Sequence, residues 1–249
     1  MKTLPFYWIL ISLLSILLSA CVTNGTNQSP KPNSSPSPQD QDMTNSTEDI
    51  TYLALGDSYT IGEGVSENDT YPAQLAKLLS AKGVKVTKPK IIATTGWTTD
   101  ELQQGIDAAN IRENTYSIVT LLIGVNNQYR GRTVENYKAE FEQLLDEAVA
   151  FADGHASRVV VISIPDWGVT RFAEQQQVDQ EKIAAEIDAY NRAQQVITEG
   201  KNVTFIDITE KYRQIGHLED NMAADGLHPS GNVYRYWAQQ LEGILVERL

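Results

Sequence analysis

Residues 119–123 and 159–164 are almost uninterrupted runs of Val, Ile and Leu, each broken by a single hydroxyl residue, Thr120 and Ser163. A strand with one wet face alternates apolar and polar side chains, whereas a strand covered on both faces has no need to. These runs therefore read as central strands of a parallel sheet. Parallel neighbours require crossover connections, usually helical, so helices must cover both faces of such a sheet. The rest of the sequence agrees. Five short β-branched runs, 51–55, 90–94, 117–123, 158–164 and 203–208, alternate with helical periodicity. Residues 71–82 set Leu75, Leu78 and Leu79 on one side, and 134–151 repeat Tyr137, Phe141, Leu144, Leu145 and Ala148 at helical spacing. A third helix is expected over 178–199 with Ile183, Ile187, Tyr190 and Val196 inward, and a last one over 231–248. The fold expected is α/β, a three-layer α/β/α sandwich with a five-stranded parallel sheet and right-handed crossovers.

The amino-terminal end has a different character. Lys2 precedes an apolar stretch over 6–20 interrupted only by Ser12, Ser15 and Ser19. That stretch is shorter than the roughly 20 residues a membrane-spanning helix needs, and no basic stop-transfer flank follows, so 1–20 read as a secretory leader. It ends Leu18-Ser19-Ala20-Cys21, and Cys21 is the chain's single cysteine. One cysteine excludes an internal disulfide and any cysteine-rich metal site. Small residues before a cysteine resemble the bacterial lipobox, which implies cleavage before Cys21 and lipid attachment to it. Acyl chains would then hold the protein by burying methylenes, at about 0.8 kcal/mol each. The competing readings are an ordinary signal peptide with an incidental cysteine, and an uncleaved anchor. Residues 21–49 carry Pro30, Pro32, Pro36 and Pro38 among Ser, Asn, Gln and Thr, and read as a tether with almost nothing to bury. The domain plan is thus 1–20 leader, 21–49 lipidated linker and 50–249 folded body. A formal charge of −12 lacks the electrostatic footprint of a nucleic-acid binder. It also repels anionic membrane surfaces, which leaves membrane attachment to Cys21.

In open parallel sheets ligands bind beyond the carboxyl ends of the strands. The residues there are Gly56-Asp57-Ser58-Tyr59, Thr95-Gly96-Trp97-Thr98 and Gly124-Val125-Asn126-Asn127, joined by Asp225-Gly226-Leu227-His228-Pro229 before the last helix. They bring a hydroxyl, a glycine amide, a carboxamide, and an imidazole with a carboxylate three residues upstream. Acyl transfer needs a nucleophile, a base, an orienter for that base and donors for an oxyanion. Taken singly, each piece is ordinary turn chemistry: an Asx or Ser cap, a turn glycine, a helix-capping asparagine. His155 and His217 have neither a strand end nor a spaced partner, and read as surface-loop residues.

Taken together and in this order, the four segments resemble the SGNH hydrolases, also called GDSL-type esterases and lipases, across 50–249. The resemblance implies that Ser58 is the nucleophile, His228 the base and Asp225 the residue orienting it. It implies an oxyanion hole built from the backbone amides of Ser58 and Gly96 and the side-chain amide of Asn126. It also implies a flavodoxin-like form of the three-layer sandwich, and no metal and no cofactor. The Gly-x-Ser-x-Gly elbow of α/β-hydrolases is absent, because Thr60 stands at its last position. Asp57, although adjacent to the serine, takes a structural role, since neighbouring strand-end positions point apart. The family usually has Asp after the oxyanion Asn; Asn127 departs from this, which bears on loop bracing and not on the donor. The segments Gly96-Trp97-Thr98-Thr99 and Ile164-Pro165-Asp166-Trp167-Gly168 look nearest to the lysophospholipase and thioesterase-like branch. Trp97, Trp167, Val169 and Phe172 are candidates for an acyl-binding wall, with simple packing as the alternative. The expected partners are an ester substrate and, through Cys21, a membrane, but no nucleic acid. The expected place is the bacterial cell envelope, facing the periplasm or exterior. Two rivals stand beside a lysophospholipase-type esterase: a carbohydrate O-acetylesterase, and a non-catalytic envelope-binding lipoprotein that keeps the fold.

The attachment reading is tested by Cys21→Ser, which should move the protein from the membrane fraction to a soluble or uncleaved form. A mature variant still in the membrane fraction would remove it.

Overall fold

The structure, a computed structural model, describes residues 49–249; the leader, Cys21 and nearly all of the tether lie outside the described residues. Each of the five apolar runs becomes a strand: β1 (Tyr52–Gly56), β2 (Lys90–Ala93), β3 (Ile118–Leu122), β4 (Val159–Ile162) and β5 (Thr204–Ile206). All pair in parallel in the order β2-β1-β3-β4-β5, the doubly wound order whose connections reverse direction between β1 and β3. Every residue of β1, β3 and β4 is buried, while β2 and β5, at the two edges, are partly exposed. Gly56 is in register with both Ala93 and Leu122, so the first three strands end level with one another.

The α-helices among the described residues are, in chain order, α1 (Ser58–Ile61), α2 (Tyr71–Ala81), α3 (Thr99–Ala108), α4 (Val125–Tyr129) and α5 (Val134–Phe151), then α6 (Arg171–Gln175), α7 (Gln180–Gly200), α8 (Thr209–Ile215) and α9 (Gly231–Leu245). Packing of α2 against α9 covers one face of the sheet, and α5, flanked by α3 and α7, covers the other. Side-chain caps set several helix starts. Thr70, Thr133 and Asp179 accept from the backbone N–H of Ala73, Asn136 and Lys182 at 3.4, 3.2 and 3.0 Å. No helix among the described residues is long and apolar enough to cross a membrane.

One core expectation is corrected. Ile183, Ile187 and Tyr190 are buried on α7, but Val196 is 66% exposed. At about 100° per residue Val196 falls on the far side of the helix from Ile183. The buried positions further along are the small Ala193 and two polar residues: Gln194 Nε2 donates to the Tyr137 hydroxyl at 3.1 Å, and Thr198 Oγ1 to the Gln194 carbonyl at 2.7 Å. Helix α3 leaves little trace in the sequence, since its buried apolar side chains are only Leu102 and Ile106.

Gly124, between β3 and α4, has φ +129°. A Cβ there would lie 2.7 Å from Tyr137 Cε2 and 2.8 Å from Ile164 Cδ1. The Tyr137 ring has little room to yield, because its hydroxyl donates to the Ile123 carbonyl at 3.0 Å. Gly124→Ala should therefore cost about 1–3 kcal/mol, through overpacking and a backbone conformation that L residues avoid. Urea unfolding checks this; an unchanged midpoint would contradict the packing described.

Candidate active site

The turn from β1 into α1 has no room for a side chain at its first position. A Cβ on Gly56 would meet Thr60 Oγ1 at 2.1 Å and the Leu122 carbonyl oxygen at 2.3 Å. Asp57 then caps α1, with Oδ1 accepting from the Tyr59 N–H at 3.0 Å. This sets Ser58 as the first residue of the helix at the carboxyl end of a central strand, 5% exposed. Asp57 itself is wholly buried and Oδ2 has no hydrogen-bond partner. Burial pushes its carboxyl up to about 7, against the hydrogen bond from Tyr59. The acid beside the serine thus belongs to the α1 cap, in keeping with the structural role expected from sequence.

The second carboxylate sits in the opposite environment. Asp225 Oδ2 lies 2.6 Å from His228 Nδ1, and Oδ1 accepts from the backbone N–H groups of Leu227 and His228 at 2.9 and 3.0 Å. Its side chain is 38% exposed. Partial burial raises this carboxyl, but the imidazole and the two N–H groups outweigh it and hold Asp225 below the usual carboxylate range. An ionised Asp225 can only accept, so the 2.6 Å contact needs a proton on Nδ1 and leaves Nε2 as the nitrogen without that partner. Tyr59 supports the imidazole edge-on, with ring centroids 5.3 Å apart.

Gly96, in the loop after β2, has φ +85°, in the left-handed region that favours glycine. Asn126 projects from α4 and uses one N–H of Nδ2 on the Trp97 carbonyl at 2.9 Å. Asn127, next along, is fully buried. Its Oδ1 accepts from the Thr99 N–H at 3.1 Å and its Nδ2 donates to Thr99 Oγ1 at 2.7 Å. The departure from Asp at this position therefore leaves the loop braced: a carboxamide serves a donor and an acceptor together, which a carboxylate cannot.

These groups converge. Ser58, Gly96, Asn126 and His228 line one cavity of about 220 Å³. Its remaining walls include Val125, Tyr129, Trp167, Phe172 and Leu227. Trp167 is held by Nε1 donating to Gln128 Oε1 at 2.8 Å, and Tyr129 meets it edge-on at 5.4 Å. Phe172 is tied to the histidine loop by its N–H on the Gly226 carbonyl at 2.9 Å. Of the expected wall, Trp167 and Phe172 are present but Trp97 and Val169 are not. Trp97 lies across α3, where a Cβ on Gly105 would meet its ring at 2.2 Å, and Val169 packs against Gly216 after α8. Val125 and Leu227 lie inside the motif segments and Tyr129 two residues beyond one, and none carries a periodic signal that would mark it as part of a wall. His155 and His217 are exposed and do not line the cavity. Among the described residues no group of three or more His, Cys, Asp or Glu side chains is placed to hold a metal ion.

The family model for GDSL-like lipases and acylhydrolases matches residues 54–236, a span that includes all four loops. The chain belongs to this family. It is a GDSL-type serine hydrolase acting on ester bonds. Solved structures share the fold. A lipase/acylhydrolase from Enterococcus faecalis is 18% identical with a TM-score of 0.61, over 80% of this chain and 97% of that one. An acetylxylan esterase, Axe2 from Geobacillus stearothermophilus, is 18% identical with a TM-score of 0.60, over 79% and 94%. The psychrotrophic esterase EstA from Pseudoalteromonas sp., solved inhibited by monoethylphosphonate, is 16% identical with a TM-score of 0.60, over 80% and 98%. A search of curated protein sequences gives no match.

The buried Asp57 of this GDSL-type hydrolase makes a pH prediction. A carboxyl raised in the folded state binds its proton more tightly there than in the unfolded chain. Its contribution to stability is therefore fully present below the ordinary value of 3.8 and is lost as pH rises through about 7. Asp57→Asn, which keeps the capping oxygen, should flatten that dependence. Its stability relative to wild type should grow between pH 4 and 8 by up to about 4 kcal/mol. Urea unfolding of both proteins across this range measures the difference; parallel profiles would mean that Asp57 stays ionised.

Proposed function

We propose that this hydrolase is a serine esterase working through an acyl-enzyme, with Ser58 as nucleophile, His228 as general base and Asp225 as its orienting partner. The observation that carries the reading is the 2.6 Å Asp225–His228 bond at a cavity shared by the imidazole, Ser58, Gly96 and Asn126. His228 Nε2 takes the Ser58 proton as Oγ attacks the ester carbonyl, and the imidazolium that forms is stabilised by the ionised Asp225. The tetrahedral oxyanion is received by the N–H groups of Ser58 and Gly96 and the second N–H of Asn126, each worth about 3 kcal/mol. His228 then returns the proton to the departing alcohol. Water, deprotonated by the same imidazole, attacks the acyl-enzyme and frees the acid and Ser58.

On the acyl side, the wall of Trp167, Phe172, Tyr129, Val125 and Leu227 favours an apolar chain, in line with a lysophospholipase-type acyl ester. A second reading, carbohydrate O-acetyl esterase, is favoured by the cavity volume of about 220 Å³, below the roughly 300–1,000 Å³ of most ligand pockets. The likeness to an acetylxylan esterase points the same way. The proposed place of work is the bacterial cell envelope, with lipidated Cys21 as the anchor; the support is the Leu18-Ser19-Ala20-Cys21 sequence. A merely binding lipoprotein would have no use for the Asp225–His228 pair, which counts against that rival.

A series of nitrophenyl esters separates the two esterase readings. For the apolar-acyl reading, kcat/KM should rise from acetyl to hexanoyl by up to about fourfold per methylene, the value of burying one CH₂. A sharp maximum at acetyl would instead favour the O-acetylesterase. Ser58→Ala, which deletes one hydroxyl at a strand end, should fold normally and retain less than about a thousandth of the activity on any ester. Greater residual turnover would place the nucleophile elsewhere.

A further inference from the structure

Arg130 has no part in the chemistry above, yet it touches two of the three segments that carry the oxyanion donors. It directly follows α4, and its backbone N–H closes the helix on the Asn126 carbonyl at 3.0 Å. Its side chain crosses to the loop after β2. There Nη2 donates to the Gly96 carbonyl at 2.6 Å and Nη1 to Glu101 Oε1 at 3.0 Å. Glu101 is itself fixed, with Oε2 accepting from the Thr98 N–H at 2.9 Å. One residue further along the loop, the Trp97 carbonyl is held by Asn126 Nδ2. Two consecutive carbonyls of the Gly96 loop are thus gripped from α4 and the residue after it.

The arrangement matters because Gly96 is a glycine at φ +85°, where the backbone has wide freedom and no side chain to hold it. Its N–H lies in the peptide unit before Gly96 and its carbonyl in the unit after; the Trp97 N–H on the Thr94 carbonyl at 3.2 Å closes the turn around both, so a fixed carbonyl holds the second unit and limits how far the first can swing. A guanidinium is suited to this, since its planar fork presents two donors in fixed relation, one for the carbonyl and one for the anchoring carboxylate. The Arg130 side chain is 42% exposed, so it is these bonds and not burial that hold it across the gap.

We infer that Arg130 is a positioning residue for the oxyanion hole: by holding the Gly96 carbonyl against Glu101 it sets the Gly96 N–H relative to Asn126 Nδ2. The inference rests on the proposed roles of Gly96 and Asn126. The hole is used fully only when charge develops on the carbonyl oxygen, and its donors must then stand about 2.7–3.1 Å from that oxygen. A small displacement lowers kcat, by as much as about a hundredfold. Ground-state binding, made against the apolar walls, stays nearly the same.

The test compares Arg130→Ala, Arg130→Lys, Glu101→Gln and Asn126→Ala on one nitrophenyl ester, with thermal melting as a control on folding. Arg130→Ala should lower kcat about tenfold to a hundredfold and leave KM within about twofold. Millimolar guanidinium, far below denaturing concentration, should restore part of that loss, and Arg130→Lys should fall between Arg130→Ala and wild type. Glu101→Gln, which weakens the anchor and keeps Arg130, should lower kcat severalfold with KM unchanged; it carries the test if Arg130→Ala does not fold. The double variant Arg130→Ala/Asn126→Ala should lose less than the product of the single losses, since both act on one hole. A wild-type kcat in Arg130→Ala beside a depressed kcat in Asn126→Ala would overturn the inference alone. So would a loss accompanied by a lowered Tm and restored by neither lysine nor guanidinium. A wild-type kcat in Asn126→Ala would overturn the oxyanion reading, and the inference with it.

Discussion

Both faces of β1, β3 and β4 are sealed by helices, and every residue of these strands is buried. Polar chemistry has no place along such strands, because an unpaired polar group there would meet no water. It must gather where the strands stop. Between β1 and β3 the connections run in opposite directions, which opens a crevice at the carboxyl end of the sheet. Ser58 follows one of these strands and Asn126 the other, while Gly96 follows β2, whose end is level with β1. The histidine loop is tied to another segment by the Phe172 N–H on the Gly226 carbonyl at 2.9 Å, and is closed on itself by the Ala223 N–H on the His228 carbonyl at 2.8 Å.

Two aspartates close to this crevice have opposite electrostatics, and the difference follows from their partners. Asp57 has one backbone N–H and an unpaired oxygen inside the core, so desolvation prevails and the proton is retained up to about 7. Asp225 has two backbone N–H groups and an imidazole at a half-open site, so the ionised form prevails. Only the second can stabilise an imidazolium. Adjacency in sequence would have favoured the first as the partner of a serine mechanism, and the fold assigns the pair by direction and solvation.

The sheet was legible in the sequence because covered strands have a simple signature, and runs such as Val159–Ile162 admit few other readings. Asp225 and His228 were legible because their contact is local: three residues apart, within one turn-forming loop, the carboxylate can reach both the ring and the backbone. What escaped depends on contacts between distant segments. The wall role given to Trp97 failed because nothing near it in sequence reveals that Gly105, on the helix that follows, leaves a slot for its ring. The inward place given to Val196 failed because Gln194 and Thr198 are buried on α7 instead; Thr198 bonds back to the Gln194 carbonyl within the helix, and the Gln194 bond is visible only once Tyr137 stands opposite. Arg130 belongs to no motif or periodic pattern in the sequence; its bond to Gly96 joins loops from two different strands. Cys21 and the tether remain sequence readings, since they lie outside the described residues.

The central claim, acyl transfer through Ser58, is tested most directly by trapping the covalent intermediate. Wild-type protein mixed with a slowly deacylated nitrophenyl ester, acid-quenched within the burst and digested, should carry one acyl group per chain on the peptide containing Gly56-Asp57-Ser58, with release of one equivalent of nitrophenol. Turnover with no acyl-enzyme, or an acyl group on a different peptide, would contradict the account.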